Sequence, residues 1–291
     1  MYGNLTSDPE PVFMQIVRFL QPHPGLRPFI HSYTFFEHQI EDWDTSYCWH
    51  LPAWREFTMQ LFLDDIPVTL DGVTGQDFSP SHFDILGVLE HSFVDTYMPR
   101  KSRRIQIGFF PAGFYRLTGI PASLFTNVNT PVSEVLGRIA DEIVEQLWEK
   151  PCIKQQASVL DRFLLSLLDK RACFSPTLIE QLALQLMHFQ SEGSVRSMAN
   201  ECALSKRQLE RVFKEQIGTS PKKFYCINRF FQANQFKNKY PHKDWLSIAL
   251  QCGYYDLNHL SKDFKIFGRA TPSQFEGYIF EQERVIPKHK E

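Results

Sequence analysis

The chain reads as α+β in two domains. Residues 1–170 form a small β-barrel or sandwich with a helical hairpin, and residues 174–291 form an all-α domain holding two helix-turn-helix units joined by a long helix. Three observations predict this. From Gly25 to Ile120, short runs of β-branched and aromatic residues are broken by turn signals. After Pro131 the apolar period lengthens from two to about 3.6. From Ser194 to Phe275 the sequence nearly repeats itself, and a shift of 51 places Leu209 on Leu260, Phe213 on Phe264, Lys214 on Lys265, Pro221 on Pro272 and Phe224 on Phe275.

A chain of 291 residues is long enough for two cores, and 43% hydrophobic residues with 26 Phe exclude wholesale disorder. The first residues, Met1 to Pro9, lack a basic segment followed by an apolar one. No apolar run approaches the roughly 20 residues of a membrane span, so a cytoplasmic protein with no membrane contact is expected. Six cysteines, at 48, 152, 173, 202, 226 and 252, include no C-x-x-C pair, which favours free thiols over disulfides or a metal site.

The β-rich part opens after a proline-rich start, with a short strand at Phe13 to Leu20. Phe57, Met59, Leu61 and Leu63 alternate, as do Ile105, Ile107 and Phe109, while Asp64-Asp65, Asp71-Gly72 and Thr74-Gly75 mark turns. Ser133 is expected to cap a helix with the stripe Leu136, Ile139, Ile143 and Leu147. A second helix after Pro151 carries Ile153, Ala157, Leu160, Leu164 and Leu167. Their spacing resembles an a/d seam, which suits either a hairpin packed on the β-domain or a dimer interface. A hinge is placed at Lys170 to Pro176, and Pro176 is expected to start a helix with Leu178, Leu182, Leu186 and Phe189 inward.

Each repeat reads as a helix, a tight turn and a second, capped helix, over about 194–218 and 245–268. Val195, Met198, Ala199 and Cys202 stripe the first helix of copy one. Ser205 supplies the N-cap hydroxyl of the second, and Gly218 ends it in a left-handed conformation. In copy two, Ile248, Ala249 and Cys252 make the first helix, Gly253 turns the chain, Asp256 caps, and Gly268 ends the second helix. Between the copies, 221–240 reads as one helix. Eighteen residues at 1.5 Å each span about 27 Å, a rod that can hold two reading helices near one turn of B-DNA apart.

A hundred degrees per residue turns Leu209, Val212 and Phe213 inward, and with them Leu260 and Phe264. Lys206, Arg207, Glu210, Arg211 and Lys214 then face outward in copy one, and Asn258, Ser261, Lys262 and Lys265 in copy two; with the capping Ser205 and Asp256 they are the candidate DNA contacts. Arg and Asn pair two-pronged with base edges in the major groove, and Lys neutralises phosphate. Ser194 to Phe275 holds 14 Lys and Arg against 6 Asp and Glu, a net of +8 inside a chain whose total is −2. Such a basic block is the footprint of phosphate binding. Double-stranded DNA, read in two adjacent major grooves per chain, is the expected partner. Arg229 is expected to bond carbonyls or a carboxylate rather than bases.

These residues resemble the AraC/XylS transcriptional regulators. The resemblance rests on Ser197-Met198-Ala199, Leu204-Ser205, Arg207, Leu209, Arg211, Phe213-Lys214, Gly218, Ser220-Pro221, Arg229 and Ala233. It continues through Ser247-Ile248-Ala249, Cys252-Gly253-Tyr254, Asp256, Phe264-Lys265, Gly268, Thr271-Pro272 and Phe275. Family members usually carry Gly at the first turn, where this chain has Ala203; a left-handed Ala costs about 1 kcal/mol there. Leu260 stands where an aromatic is more usual. Gly108 to Gly113, Tyr115 to Pro121 and Leu26 to Phe29 resemble the sensor domain that precedes the DNA-binding half in many members, although Leu51-Pro52-Ala53 replaces the usual Pro-Asp-Gly. The resemblance implies a transcription regulator, with activators among its members. A small-molecule effector, RNA polymerase and a second copy in a homodimer join DNA as candidate partners.

For the effector, Trp43, Tyr47, Trp49, Trp54 and Arg55 are the candidates, since a barrel mouth rich in aromatics with one cation suits an apolar ligand. The same aromatics also suit plain core packing. Six histidines between 23 and 91 lack H-x-H or H-x-x-E-H spacing, and no G-x-S-x-G or G-x-x-x-x-G-K motif appears. No enzyme, metal or cofactor is therefore expected. Two alternatives stay open for the N-terminal domain: an enzyme fused to the DNA-binding module, and a pure dimerisation or protein-interaction domain.

Overall fold

The computed structural model describes residues 13–40, 48–72, 75, 77–92, 94–168, 174–187 and 195–275. Among the described residues nine strands are formed: β1 (Phe13–Leu20), β2 (Ile30–Ile40), β3 (Cys48–Leu51), β4 (Thr58–Phe62), β5 (Val68–Asp71), β6 (Phe83–Leu86), β7 (Val94–Tyr97), β8 (Lys101–Phe109) and β9 (Asn129–Pro131). They pair antiparallel into a six-stranded sheet of order β1-β2-β8-β4-β6-β9 and a three-stranded sheet of order β3-β7-β5.

Strand register gives the larger sheet two different faces. Met59 stands opposite Ile107 and Leu61 opposite Ile105, while the alternate pairs are Gln60 with Gln106 and Phe62 with Arg104. The apolar set, with Phe83 and Ile85, joins a core that helices close over. These are α1 (Gly113–Thr118), a 3₁₀ turn (Ala122–Phe125), α2 (Val132–Leu136), α3 (Ile139–Trp148) and α4 (Ile153–Ser166). The side chains of α3 and α4 that enter this core include Ile143, Leu147, Leu160, Phe163 and Leu164.

Three expectations need correction here. Ser133 caps nothing: it lies inside α2, whose N-cap position is Pro131, and the predicted single helix breaks at Gly137, where φ is 71°. Pro176 does not start the next helix, α5 (Leu178–Met187); Thr177 does, its hydroxyl accepting the Glu180 backbone N–H at 3.1 Å. Leu178 is 60% exposed, and the inward stripe is Ile179, Leu182, Ala183 and Leu186. Phe189 and most of the hinge placed at 170–176 lie outside the described residues. The a/d seam of α4 closes on this chain's own core, for Leu160 and Leu164 are both 0% exposed in the cluster with Ile105 and Ile107.

The rest of the chain is helical: α6 (Val195–Glu201), α7 (Lys206–Ile217), α8 (Pro221–Lys239), α9 (Trp245–Gln251) and α10 (Leu257–Gly268). Two apolar clusters divide these helices. Leu182, Leu186, Met198, Leu209, Phe213 and Phe224 form one, and Ile227, Phe230, Ile248, Leu260, Phe264, Phe267 and Phe275 belong to the other. Cys252 is buried in the second, and burial pushes its thiol up to about 11, leaving it neutral and inert at pH 7. Among the described residues, no helix is long and apolar enough to cross a membrane.

The β-rich part and the helical part are joined by specific contacts. Arg116 of α1 donates to Glu180 of α5 at 2.5 Å, to the Pro28 carbonyl at 2.9 Å and to the Phe174 carbonyl at 2.8 Å, with its guanidinium over the Phe29 ring. Burial lifts the Glu180 carboxyl above the usual range against the opposing pull of Arg116. Ala53 donates to the Phe267 carbonyl at 2.7 Å, and Arg269 pairs with Asp95 at 2.5 Å. Leu86, Val88 and Leu89 complete the apolar cluster around Phe230 from the β side.

Leu160→Asp is expected to unfold or aggregate the chain, because it would bury an unpaired charge at a cost of about 3–5 kcal/mol. Circular dichroism with sedimentation velocity checks this; a soluble, folded monomer would instead show that α4 packs against a second copy.

Candidate nucleic-acid interface

Both repeats build the same corner from the same backbone bonds. In the first, Cys202 donates to the Met198 carbonyl at 3.2 Å and Leu204 to the Ala199 carbonyl at 2.9 Å, with Ala203 left-handed at φ 53°. In the second, Cys252 donates to Ile248 at 2.9 Å and Tyr254 to Ala249 at 2.9 Å, with Gly253 at φ 73°. The carbonyls that would be orphaned at the end of the first helix are satisfied, and the chain is turned into the second. Ala203 therefore holds the conformation that glycine would adopt without strain.

The reading helices then start on side-chain caps. Ser205 accepts the Gln208 backbone N–H at 3.3 Å, and the Gln208 side chain accepts the Ser205 N–H at 2.9 Å, a complete capping box for α7. Asp256 accepts the His259 N–H at 2.7 Å at the start of α10. At its other end α7 stops on Gly218 at φ 102°. The stop of α10 differs from expectation, since Gly268 is its last helical residue and Arg269 takes the left-handed position at φ 54°. Gly268 is needed for closeness instead: a Cβ there would stand 2.7 Å from the Phe275 ring.

The outward sets lie where the helical arithmetic put them. Lys206, Arg207, Glu210, Arg211 and Lys214 are exposed on α7, and Asn258, Lys262 and Lys265 on α10, with Ser261 half-buried. Lys206 reaches Glu210 at 4.0 Å and Arg211 reaches Glu215 at 3.3 Å, both one turn apart. Arg207, Lys214, Lys262 and Lys265 form no ion pair among the described residues. Their charge is available to a polyanion. Helical arithmetic started at the caps passed over Tyr255 and Leu257, which flank Asp256; Tyr255 is 88% exposed. Their place beside an N-cap was the signal that could have found them.

α8 holds the two units at a fixed separation. Phe224, near its start, packs edge-on against Phe213 of α7, and Phe230 packs against Phe264, Phe267 and Phe275. Arg229 makes the bonds expected of it. It donates to Asp263 at 2.6 Å and to the Gly253 carbonyl at 3.3 Å, and its guanidinium lies 3.9 Å from the Tyr254 ring centre.

The aromatic group proposed for an effector is only partly in view. Trp43 and Tyr47 lie outside the described residues, as does the side chain of Trp49. Trp54 lines a cavity of about 90 Å³ between the two sheets, together with Phe62, Phe78, Gln60, Gln106 and Arg104. Arg55 does not line it; its guanidinium donates to Asn228 of α8 and lies over the Phe231 ring. Among the described residues, no group of three or more His, Cys, Asp or Glu is placed to hold a metal ion.

Two capped reading helices on one rigid rod define a DNA-binding domain with tandem helix-turn-helix units. Residues 198–277 match the family model described as "Helix-turn-helix domain", a domain of the AraC type. It is 31% identical over 121 residues to an uncharacterized HTH-type transcriptional regulator of Haemophilus influenzae, covering 42% of this chain and 38% of that protein. It is 33% identical over 78 residues to the HTH-type transcriptional activator RhaS of Mannheimia succiniciproducens, covering 27% of this chain and 29% of that one. The chain thus spans well under half the length of these curated relatives. Among solved structures, ToxT from Vibrio cholerae aligns over 90% of this chain and 97% of its own at 12% identity, with a TM-score of 0.45.

Ala203→Gly is expected to stabilise the protein by up to about 1 kcal/mol, by relieving the left-handed strain, with DNA binding unchanged. Thermal melting beside a binding isotherm checks it, and a lower melting temperature would show that the Ala203 methyl contributes packing that outweighs its strain.

Proposed function

We propose that the chain is a sequence-specific DNA-binding transcription regulator whose two reading helices enter two successive major grooves, under the control of its N-terminal domain. The observation that carries this reading is the pair of capped helices, α7 and α10, with exposed cations on their outer faces and a 19-residue helix between them. At 1.5 Å per residue that helix is about 28 Å long, which suits helices set about 34 Å apart along B-DNA. Arg207 and Asn258 are the base readers, Lys214, Lys262 and Lys265 contact phosphate, and Tyr255 adds a contact beside the α10 cap. The cavity lined by Trp54 is where a small-molecule effector acts, and RNA polymerase is the further partner that this role requires.

Arg207→Ala and Asn258→Ala should each relax base preference at one defined position by about 1–3 kcal/mol, whereas Lys214→Ala should weaken all sequences alike and lower the salt dependence by about one phosphate contact. Titration of singly substituted duplexes at several salt concentrations distinguishes the two behaviours. Uniform loss in all three variants would remove Arg207 and Asn258 as base readers.

A homodimer is the arrangement we assign to the bound state, because two copies on a two-fold operator extend the site and two-fold pairing is the commonest soluble assembly. Sedimentation at micromolar concentration is expected to show two chains per selected duplex. A single chain at saturation, with no dimer in the free protein, would overturn the assignment.

A further inference from the structure

The alternation of the larger sheet leaves one buried face that is not apolar. Opposite the Met59, Leu61, Ile105 and Ile107 face, the residues of β4 and β8 are Gln60, Phe62, Arg104 and Gln106, and they point toward the three-stranded sheet across the 90 Å³ cavity. Burying amides in a sheet-to-sheet interior costs free energy unless they bond. The space far exceeds the roughly 10–15 Å³ that seats one water. Among the described residues no Asp or Glu lines it, and the Arg104 guanidinium on its wall is laid on the Phe36 ring at 4.4 Å.

Trp54 adds a second, independent observation. It is 6% exposed, it lines the cavity, and its indole Nε1 is buried with no hydrogen-bond partner among the described residues. A buried donor of this kind is rare in a folded chain, and a ligand is one way of satisfying it. The same indole meets Phe231 of α8 edge to face, with ring centres 6.0 Å apart, and the Trp54 backbone is pinned to Leu89 by bonds of 2.9 and 2.8 Å. One side chain therefore belongs both to the cavity wall and to the packing of the rod between the reading units.

We propose that this cavity takes a small, largely apolar molecule bearing an uncharged hydrogen-bond acceptor, that the acceptor binds the Trp54 indole N–H, and that Trp54 passes occupancy to α8 through Phe231. This rests on the reading of the N-terminal domain as a control domain. The amides of Gln60 and Gln106 offer further polar contacts, and a wall that carries the Arg104 guanidinium and, among the described residues, no carboxylate disfavours cationic ligands. Coupling of this sort is reciprocal, so DNA bound to the helical domain must act back on Trp54.

The test follows the indole N–H resonances of the full-length, ¹⁵N-labelled protein. Trp54 is one of 5 tryptophans, and its resonance is assigned by its loss in Trp54→Phe. Acetophenone, which carries a carbonyl acceptor, is expected to move the Trp54 resonance downfield. Ethylbenzene, of the same shape without the acceptor, is expected to bind without that downfield hydrogen-bond shift, and phenylethylammonium is expected not to bind. Trp54→Phe, which keeps an aromatic ring but lacks the donor, should weaken acetophenone roughly fivefold and ethylbenzene not at all. Saturating selected duplex should also move the Trp54 resonance. If acetophenone moves none of the indole resonances the site is overturned, whether or not Trp54→Phe folds. An indole that responds to acetophenone but not to bound duplex overturns the coupling. Failure of the wild-type protein to bind any duplex would instead remove the regulatory reading, while the acetophenone result would still stand or fall by itself.

Discussion

Two independent apolar cores share one wall, and that wall is α8. Phe224 closes the core of the first reading unit and Phe230 centres the ring cluster of the second, so the separation of α7 and α10 is set by the stiffness of a single 19-residue helix. Ring pairs near 5–6 Å hold each contact, a geometry that adds about 0.5–1.5 kcal/mol per pair beyond simple burial. Ser220 starts the helix by accepting the Lys223 N–H at 3.2 Å, and Pro221 at its first position has no N–H to leave orphaned. Were this rod to bend, both units would keep their own folds and lose their mutual register.

The β-rich part sits against the same assembly at several places. The Thr126 hydroxyl donates to the Gly218 carbonyl, and Thr219 donates to Glu90, just beyond the end of α7. Ala53, Ser92 and Asp95 contact Phe267, Ile266 and Arg269 at the end of α10. Between them, Trp54 and Arg55 meet Phe231 and Asn228 in the middle of α8. The ends of both reading helices and the rod between them are thus seated on one surface, while the outward faces of α7 and α10 stay open to solvent. The buried Arg116–Glu180 pair adds a contact between α1 and α5, and losing either partner would strand a charge in the interior.

Local chemistry was legible wherever a residue acts through its own backbone neighbourhood. The Ser205 and Asp256 caps, the stop at Gly218 and the strained turn at Ala203 all depend on φ, ψ and a hydrogen bond within a few residues, and all stand where the sequence placed them. Arg229 was legible for another reason: a cation in the middle of an apolar helix stripe must find acceptors, and it found Asp263 and Gly253. Gly268 misled because glycine serves two needs, positive φ and close approach. Only the position of the Phe275 ring decides between them.

By itself the sequence determined the class of fold, the repeat, the outward basic faces and the length of the rod, because these follow from periodicity, capping and charge, which are local or additive. Only the tertiary structure decided which surface the α4 seam covers, since an apolar stripe specifies that it will be buried and not against what. Tertiary structure likewise placed Arg55 at the joint rather than in the cavity, and opposed Gln60 to Gln106 across β4 and β8. Strand register brings together residues some forty positions apart, and no local rule records which of them will meet.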